Sequence, residues 1–138
     1  MERGRRIAFD YGDVRIGVAV CDPDGILASP LPFLDARHPK LKLHVSEILL
    51  ELRPVKIYLG APIHLSGESS ESLGKVEDFQ GLLEELTDTP IALIDERLST
   101  VEASRWLRDA GRSSRQSRIH IDSMAAVSIL ERGLASER

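Results

Sequence analysis

The sequence predicts an α/β fold with a five-stranded mixed sheet flanked by helices, and three observations support this prediction. The first third of the chain alternates apolar and polar residues with period two, which is typical of strands. From Leu41 onward, apolar residues at helical spacing alternate with short apolar runs, which indicates alternating helices and strands. The 138 residues, 42% of them hydrophobic, fit one domain with its own core. We therefore expect a single domain over residues 1–138.

Turn residues separate the first three predicted strands, so these strands should form an antiparallel meander. The first strand places a carboxylate, Asp10, near its carboxyl end. Pro30 and Pro32 shorten and break the third strand, because proline cannot donate to a ladder. Gly12 and Gly17 fit a hairpin, where glycine allows positive φ and close approach to Asp10, rather than a dinucleotide-binding loop that opens a helix. The predicted strands are Arg6–Tyr11, Ile16–Cys21 and a strand within Ile26–Leu34.

The remainder of the chain predicts helices that alternate with strands. The first helix begins near Leu41, keeps one apolar face, and is stopped by Pro54. The stretch Arg112–Arg118 contains no apolar residue, which predicts a mobile loop, and the last helix is predicted from about Asp122 to Leu134. The elements between are a strand at Val55–Leu59, a helix from Leu73 to Leu86, a strand at Ile91–Ile94, and a helix that begins with the Ser99 and Glu102 capping box and ends at Gly111.

Composition excludes several classes of protein. A single cysteine, Cys21, cannot form an intramolecular disulfide and favours a reducing compartment, and a small buried cysteine is the simpler interpretation than a catalytic thiol. No stretch approaches the roughly 18 apolar residues of a membrane span, and the first residues show no cleavage-site pattern. We expect a soluble, cytoplasmic protein with no membrane partner.

The net charge of −4 hides a strong asymmetry along the chain. Residues 66–96 contain nine acidic residues and one lysine, whereas residues 97–118 contain six arginines and two acidic residues. Arginine forks match phosphate oxygens, so the basic segment could follow a sugar-phosphate backbone. Arginines that merely face solvent on a helix and a loop explain the same pattern. Charge alone leaves both interpretations open.

Acidic residues end or flank several of the predicted elements. Asp10 lies near the end of the first strand, Asp95 and Glu96 end the fifth, and Asp122 begins the last helix. If the first, fourth and fifth strands are parallel neighbours, their ends lie close together. Clustered carboxylates raise one another's pKa unless a cation neutralises them, and Mg²⁺ prefers oxygen ligands. The alternatives are a turn residue at Asp10, a helix N-cap at Asp122, and an ion pair between Asp95 and Arg97.

Four segments stand in order along the chain: Phe9–Gly12 with Arg15–Ala19, Gly60–Pro62 with Gly67, Asp95–Thr100 with Glu102-Ala103, and Ile121–Ala126. Together they resemble the YqgF family. Its members are RuvX-type proteins described as Holliday junction resolvases or as pre-16S rRNA nucleases, with a ribonuclease H-like fold. In place of the family's Gly-Leu-Pro or Gly-Met-Pro segment, this chain has Ala61 in the middle position. Arg115, Arg118 and His120 supply the basic character that relatives take from lysines.

The resemblance implies a set of site residues. It assigns an acidic triad that holds metal and performs catalysis, with two arginines beside the site and two hydroxyl residues as phosphate contacts. The charge pattern adds three further arginines as nucleic-acid contacts. These residues are the triad Asp10, Glu96 and Asp122, then Arg15, Arg97, Ser99 and Thr100, and finally Arg112, Arg115 and Arg118.

We therefore expect a Mg²⁺- or Mn²⁺-dependent nuclease that hydrolyses phosphodiester bonds in structured nucleic acid. Maturation of the 5′ end of pre-16S rRNA is favoured, and ribosomal precursor particles would then be partners. One alternative is a Holliday junction resolvase, which would act on four-way DNA as a symmetric dimer. Another is a non-catalytic RNA-binding factor of ribosome assembly. The sequence is compatible with a monomer or a homodimer.

Overall fold

The computed structural model of the chain describes residues 1–61, 70–95 and 114–138, and the side chains of these residues except 70–72 and 114–122. All five predicted strands are confirmed, with bounds that differ by one or two residues. The elements are β1 (Arg6–Tyr11), β2 (Arg15–Cys21), β3 (Ala28–Asp35), α1 (Leu41–Leu52), β4 (Lys56–Ala61), α2 (Ser70–Leu86), β5 (Ile91–Asp95) and α3 (Ser114–Glu137).

The strands form one mixed sheet in the order β3-β2-β1-β4-β5. The first three strands are an antiparallel meander, as predicted, and β1, β4 and β5 are parallel neighbours. The condition that brings the carboxyl ends of β1, β4 and β5 to one edge is therefore met.

Helices cover both faces of the sheet, since apolar side chains of the central strands point to both faces. Ile7 and Phe9 of β1 are buried in a cluster with α1 and α2. Ala8, between them, is buried on the other face against α3, which we call the α3 face. Ala19 of β2 also faces this helix, and Ala126 of α3 faces the sheet. These small side chains let α3 pack close to the sheet.

The third strand differs from its prediction, because the prolines do not break it. β3 is continuous over Ala28–Asp35, and its register against β2 shifts between the pairs Ile16 with Leu34 and Val18 with Leu31. One extra residue of β3 is accommodated there, which is a β-bulge. β3 is an edge strand, so prolines without an N–H are tolerated in it.

The prediction of a mobile loop over Arg112–Arg118 is wrong for residues 114–118, which belong to α3. The same result corrects the prediction that the last helix begins at Asp122, and it excludes Asp122 as an N-cap, because this residue lies in the third turn of α3. Arginine and glutamine are good helix formers, and residues 114–122 contain neither glycine nor proline. The predicted helix from Ser99 to Gly111 lies outside the described residues.

Candidate active site

Asp10 lies near the carboxyl end of β1, the central strand of the sheet. Its backbone pairs with Gly17 of β2. Phe9 and Tyr11 pack against the α1 and α2 cluster, so alternation places Asp10 on the α3 face together with Ala8. The residue is half-buried. This position is the rim of the sheet beneath α3, where one side of a carboxylate meets the protein and the other can meet solvent.

The hairpin after Asp10 is tight because of a close approach at Gly12. A Cβ on Gly12 would lie 2.6 Å from the carbonyl oxygen of Arg15, so a side chain there would require the turn to shift. The predicted positive φ at Gly12 and Gly17 is wrong, since neither is among the positive-φ glycines of the described chain. Glycine serves the turn by saving space.

The carboxyl ends of β4 and β5 reach the same edge as Asp10. The parallel registers pair Phe9 with Leu59, and Ala61 with Asp95, so Asp95 ends β5 close to the level of Asp10. Asp95, however, has the parity of Ile91 and Leu93, which pack against the α1 and α2 cluster. It therefore shares the edge with Asp10 but not the face.

Ser123 of α3 fixes this helix over the bulge between β2 and β3. Its hydroxyl accepts a hydrogen bond from the backbone N–H of Val18 at 3.4 Å and donates one to the carbonyl of Leu31 at 2.6 Å. Val18 follows Gly17, the strand partner of Asp10. The buried hydroxyl thus sets the position of α3 one residue after Asp122.

The other predicted site residues are placed only in part. Arg115 and Arg118 lie in the first turns of α3, three residues apart, but their side chains and that of Asp122 are not among those described. Among the described side chains, no group of three His, Cys, Asp or Glu residues is placed to hold a metal ion. Glu96, Arg97, Ser99, Thr100 and Arg112 lie outside the described residues.

Arg15, which the resemblance assigns to the site, begins β2 and is exposed. It has the parity of Gly17 and Ala19, so it lies on the α3 face. Its guanidinium carbon sits 4.9 Å from the ring centroid of Phe33, a residue of β3 that the sequence prediction missed. No local sequence pattern indicates this contact, because it depends on the bulge between β2 and β3.

Cys21 has the features of a structural cysteine. The side chain is 2% exposed and its sulfur accepts a hydrogen bond from the backbone N–H of Arg6 at 3.2 Å. Burial raises the pKa of the Cys21 thiol and so disfavours the thiolate that catalysis would need.

A family model described as "RuvX: Holliday junction resolvase" matches residues 4–136, and the chain belongs to this family. A protein of Streptomyces coelicolor named "Putative pre-16S rRNA nuclease" is 44% identical over 140 residues, covering 100% of this chain and 84% of the relative. A protein of Mycobacterium leprae (strain TN) with the same name is 40% identical over 138 residues, covering 96% of this chain and 73% of the relative.

Two solved structures confirm the fold. The structure of Thermus thermophilus RuvC in complex with a Holliday junction substrate has a TM-score of 0.61 at 15% identity, covering 96% of this chain and 95% of that chain. A fowlpox virus resolvase in complex with Holliday junction DNA has a TM-score of 0.60 at 10% identity, covering 96% of this chain and 98% of that chain. The five-stranded mixed sheet with flanking helices is the ribonuclease H-like fold of these resolvases.

No helix within the described parts of the chain is both long and apolar enough to span a membrane.

Proposed function

We propose that this protein is a divalent-metal-dependent nuclease that hydrolyses phosphodiester bonds in structured RNA, with the 5′ end of pre-16S rRNA as its substrate. The observation that carries the proposal is the position of Asp10 at the carboxyl end of the central strand, on the face covered by α3. Relatives that are 40 to 44% identical carry the name of a pre-16S rRNA nuclease. Residues 1–138 would form one nuclease domain.

The spacing along α3 supports Asp122 as a partner of Asp10. Ala126 and Ile129 follow Asp122 by four and seven residues, which is the spacing of a single helix face, and both are completely buried against the sheet. Ser123, the next residue, is hydrogen-bonded beside the strand partner of Asp10. The helical spacing therefore assigns Asp122 to the face of α3 that packs against the sheet.

The parity of β5 supports Glu96, rather than Asp95, as the third acidic residue. Ala92 and Ile94 pack on the α3 face, whereas Asp95 has the parity of the opposite face. Glu96 follows Asp95 and has, in the sequence, the parity of Ala92 and Ile94. The family resemblance also assigns the third acidic position to Glu96.

The proposed donor set fits a hard divalent cation, since it consists of carboxylate oxygens alone. Asp10, Glu96 and Asp122 would hold the ion, and the cation would relieve the mutual repulsion that otherwise raises carboxylate pKa values. When bound, Mg²⁺ or Mn²⁺ supplies positive charge that offsets the charge developing on the phosphoryl oxygens and lowers the pKa of a water.

The chain's own residues supply the surroundings of Asp10. Gly17, the strand partner of Asp10, has no side chain on this face, so it puts no bulk beside the carboxylate. Arg15 lies two residues along the same face of β2 and provides a cation for a substrate phosphate. The role of Asp10 is to hold charge at the rim of the sheet, and Arg15 orients the substrate.

The first test replaces Asp10 by Asn, which removes the negative charge but keeps the shape. We expect cleavage to fall by about a thousandfold or more, because a lost metal ligand removes several kcal/mol of transition-state stabilisation. The melting temperature should stay close to that of the unmodified protein. Asp13→Asn is the matched control, since Asp13 lies in the adjacent hairpin, is exposed and pairs with Lys75 at 3.0 Å. This control should retain cleavage.

The substrates in this assay separate the candidate functions. They are a pre-16S rRNA fragment with its 5′ extension and a four-way DNA junction, each with Mg²⁺, Mn²⁺ or EDTA. Metal-dependent cleavage of the RNA that Asp10→Asn abolishes supports the proposal. Cleavage of the junction instead supports the Holliday junction resolvase that the family description names. Binding of RNA without cleavage under any of these conditions supports a non-catalytic assembly factor.

The second test concerns the arginines at positions 112, 115 and 118. Replacement of Arg112, Arg115 and Arg118 by Gln should weaken RNA binding and reduce the slope of log affinity against log salt by about two, if each arginine neutralises one phosphate. Glutamine keeps the helix propensity of α3. The control replaces by Gln three exposed arginines that precede β1 and β4, at the strand ends opposite Asp10. They are Arg3, Arg5 and Arg53. Equal slopes for the two triple variants would remove the tested arginines from the interface.

A further inference from the structure

Phe33 is an aromatic residue held at the surface of an edge strand. It is 37% exposed, whereas Leu31 and Leu34 on either side pack against the α1 and α2 cluster. Its ring meets the guanidinium of Arg15 at 4.9 Å, a cation–π distance. More than a third of this large apolar side chain is therefore open to solvent.

The β-bulge explains why the ring stays there. The register shift falls between the pairs that flank Pro32 and Phe33, so the strand turns Phe33 to the face opposite Leu34. Proline before it restricts the backbone and offers no N–H for pairing with another strand. The ring is presented on a stiff segment rather than on a loop.

The Phe33 ring lies on the α3 face of the sheet, as Asp10 does, and near the same rim of the sheet. Arg15, which touches it, is two residues from Gly17, and Gly17 pairs with Asp10. Two strand spacings of about 4.8 Å separate β1 from β3, so the ring lies roughly 10 Å across the sheet from Asp10. This separation suits a nucleotide neighbouring the one whose phosphate lies at Asp10.

Two further basic residues follow the ring closely in the sequence. The turn that follows β3 carries Arg37 and Lys40, both exposed, and the N–H of Ala36 in this turn binds the carbonyl of Val14 in the β1–β2 hairpin at 2.9 Å. The turn is thereby attached to the segment that begins with Arg15. An aromatic ring in contact with one arginine, Arg15, and next to a basic turn suits a nucleotide, whose base can stack and whose phosphates are negative.

We propose that Phe33 and Arg15 form a stacking platform for one unpaired base of the substrate, adjacent to the nucleotide whose phosphate lies at Asp10. The inference rests on the proposed nuclease function and sharpens it, because it selects substrates with a single-stranded nucleotide next to the cleavage position. Stacking tolerates any base, so the platform recognises an unpaired strand rather than a sequence.

The test measures binding in full-length Asp10→Asn protein, in which cleavage does not interfere. The probes are a labelled RNA hairpin with a single-stranded 5′ extension and the same stem with a blunt end. Phe33→Leu keeps an apolar side chain but removes the π face, and it should weaken binding of the extended RNA about tenfold while leaving the blunt RNA within about twofold. Phe33→Tyr should bind both as the parent does. Leu50→Ala, at a 70% exposed position of α1, is the control for removing a surface apolar group.

An abasic scan of the extension locates the base. At one position, removal of the base should make the parent and Phe33→Leu bind equally, since the stacking partner is gone from both. Equal affinity of Phe33→Leu and parent for intact RNA, or an equal loss for both probes, would overturn the platform, as would a loss that only follows a fall in melting temperature. Phe33-independent binding together with Asp10-dependent cleavage rejects the platform and keeps the nuclease. Phe33-dependent binding without cleavage rejects the nuclease and keeps an RNA-binding surface.

Discussion

The carboxyl end of α3 and the turn around Ser123, nearer its middle, contact the sheet through different groups. At the carboxyl end, Glu137 accepts hydrogen bonds from the Nε and Nη2 of Arg6 at 3.2 and 3.0 Å, and another from the hydroxyl of Tyr58. Arg6 is 1% exposed and also donates to the carbonyl of Gly4 at 2.6 Å. This end closes its charges within the fold.

Around Ser123, the hydrogen bonds between α3 and the sheet involve a neutral hydroxyl, and the charged residues Asp10 and Arg15 lie at the rim of the sheet. Ser123 bonds the strands with a hydroxyl, while Asp10 is half-buried and Arg15 is exposed. Arg6 and Glu137 therefore form a charge pair that stabilises the fold, whereas Asp10 and Arg15 hold charge at the rim, where the proposed substrate would bind. Substitutions in the two regions should therefore have opposite effects: Asp10→Asn removes activity and keeps stability, and changes at Glu137 do the reverse.

The largest effect on stability is expected from Glu137→Ala. It leaves the buried guanidinium of Arg6 without its ion pair, which costs about 3–5 kcal/mol for a buried pair, so the free energy of unfolding in urea should fall by about this amount. Cleavage per folded molecule should be unchanged. The double replacement of Arg6 and Glu137 by Met should recover most of the loss, since no charge is then buried. A stable Glu137→Ala protein without activity would contradict the division between the two regions.

A smaller effect is expected from Gly133→Ala, one turn before Glu137. A Cβ at this position would lie 2.6 Å from atoms of the Tyr58 ring, so α3 or the ring must move, at a cost of about 1–3 kcal/mol. Gly74→Ala in α2 is the matched control, because a Cβ there has no atom within 4 Å. It should stabilise the protein by about 0.5–1 kcal/mol through helix propensity. Thermal unfolding of the two variants should shift in opposite directions; a shift in the same direction would refute the close approach at Tyr58.

Alternation and turn residues were sufficient to predict the sheet, because both are local properties. The helical face that begins at Leu41 and the stop at Pro54 predict α1 with its observed bounds. The beginning of α3 was not predictable in this way, since residues 114–118 carry no apolar pattern and their helical state depends on propensity and on the rest of the helix.

The candidate site was predictable in its chemistry more than in its geometry. Asp10 lies near the end of β1, as the alternation predicts. That Asp10 and Asp95 lie on opposite faces of the sheet follows only from the strand register and the two hydrophobic clusters. Phe33 could not be predicted as a site residue, because its contact with Arg15 depends on a bulge between two strands. β-Bulges and long-range registers depend on contacts between distant residues, so local sequence patterns do not predict them.

The smallest effect concerns the turn after β2, at the end of the molecule that holds the charge pair. The carboxylate of Asp22 accepts the backbone N–H of Leu27 at 2.7 Å, that of Ile26 at 2.8 Å and that of Asp24 at 3.2 Å. These donors, with Leu27 first, hold the pKa of Asp22 below its ordinary value of about 3.9. A lowered pKa means that the stabilisation is complete above the ordinary value and is lost as pH falls through the lower, folded-state value.

Asp22→Asn should therefore be slightly less stable than the parent at neutral pH. The two urea-unfolding midpoints should converge as pH falls from the ordinary pKa of aspartate through the lower, folded-state pKa of Asp22, below which the aspartate is neutral as well. Asp78→Asn makes the same charge change at an exposed position of α2 and is the control for the change in net charge. A constant difference between Asp22→Asn and the parent from pH 7 to pH 3 would show that the shape of the side chain, not its charge, holds the turn. In that case, only Arg6 and Glu137 would stabilise this end of the molecule through their charges.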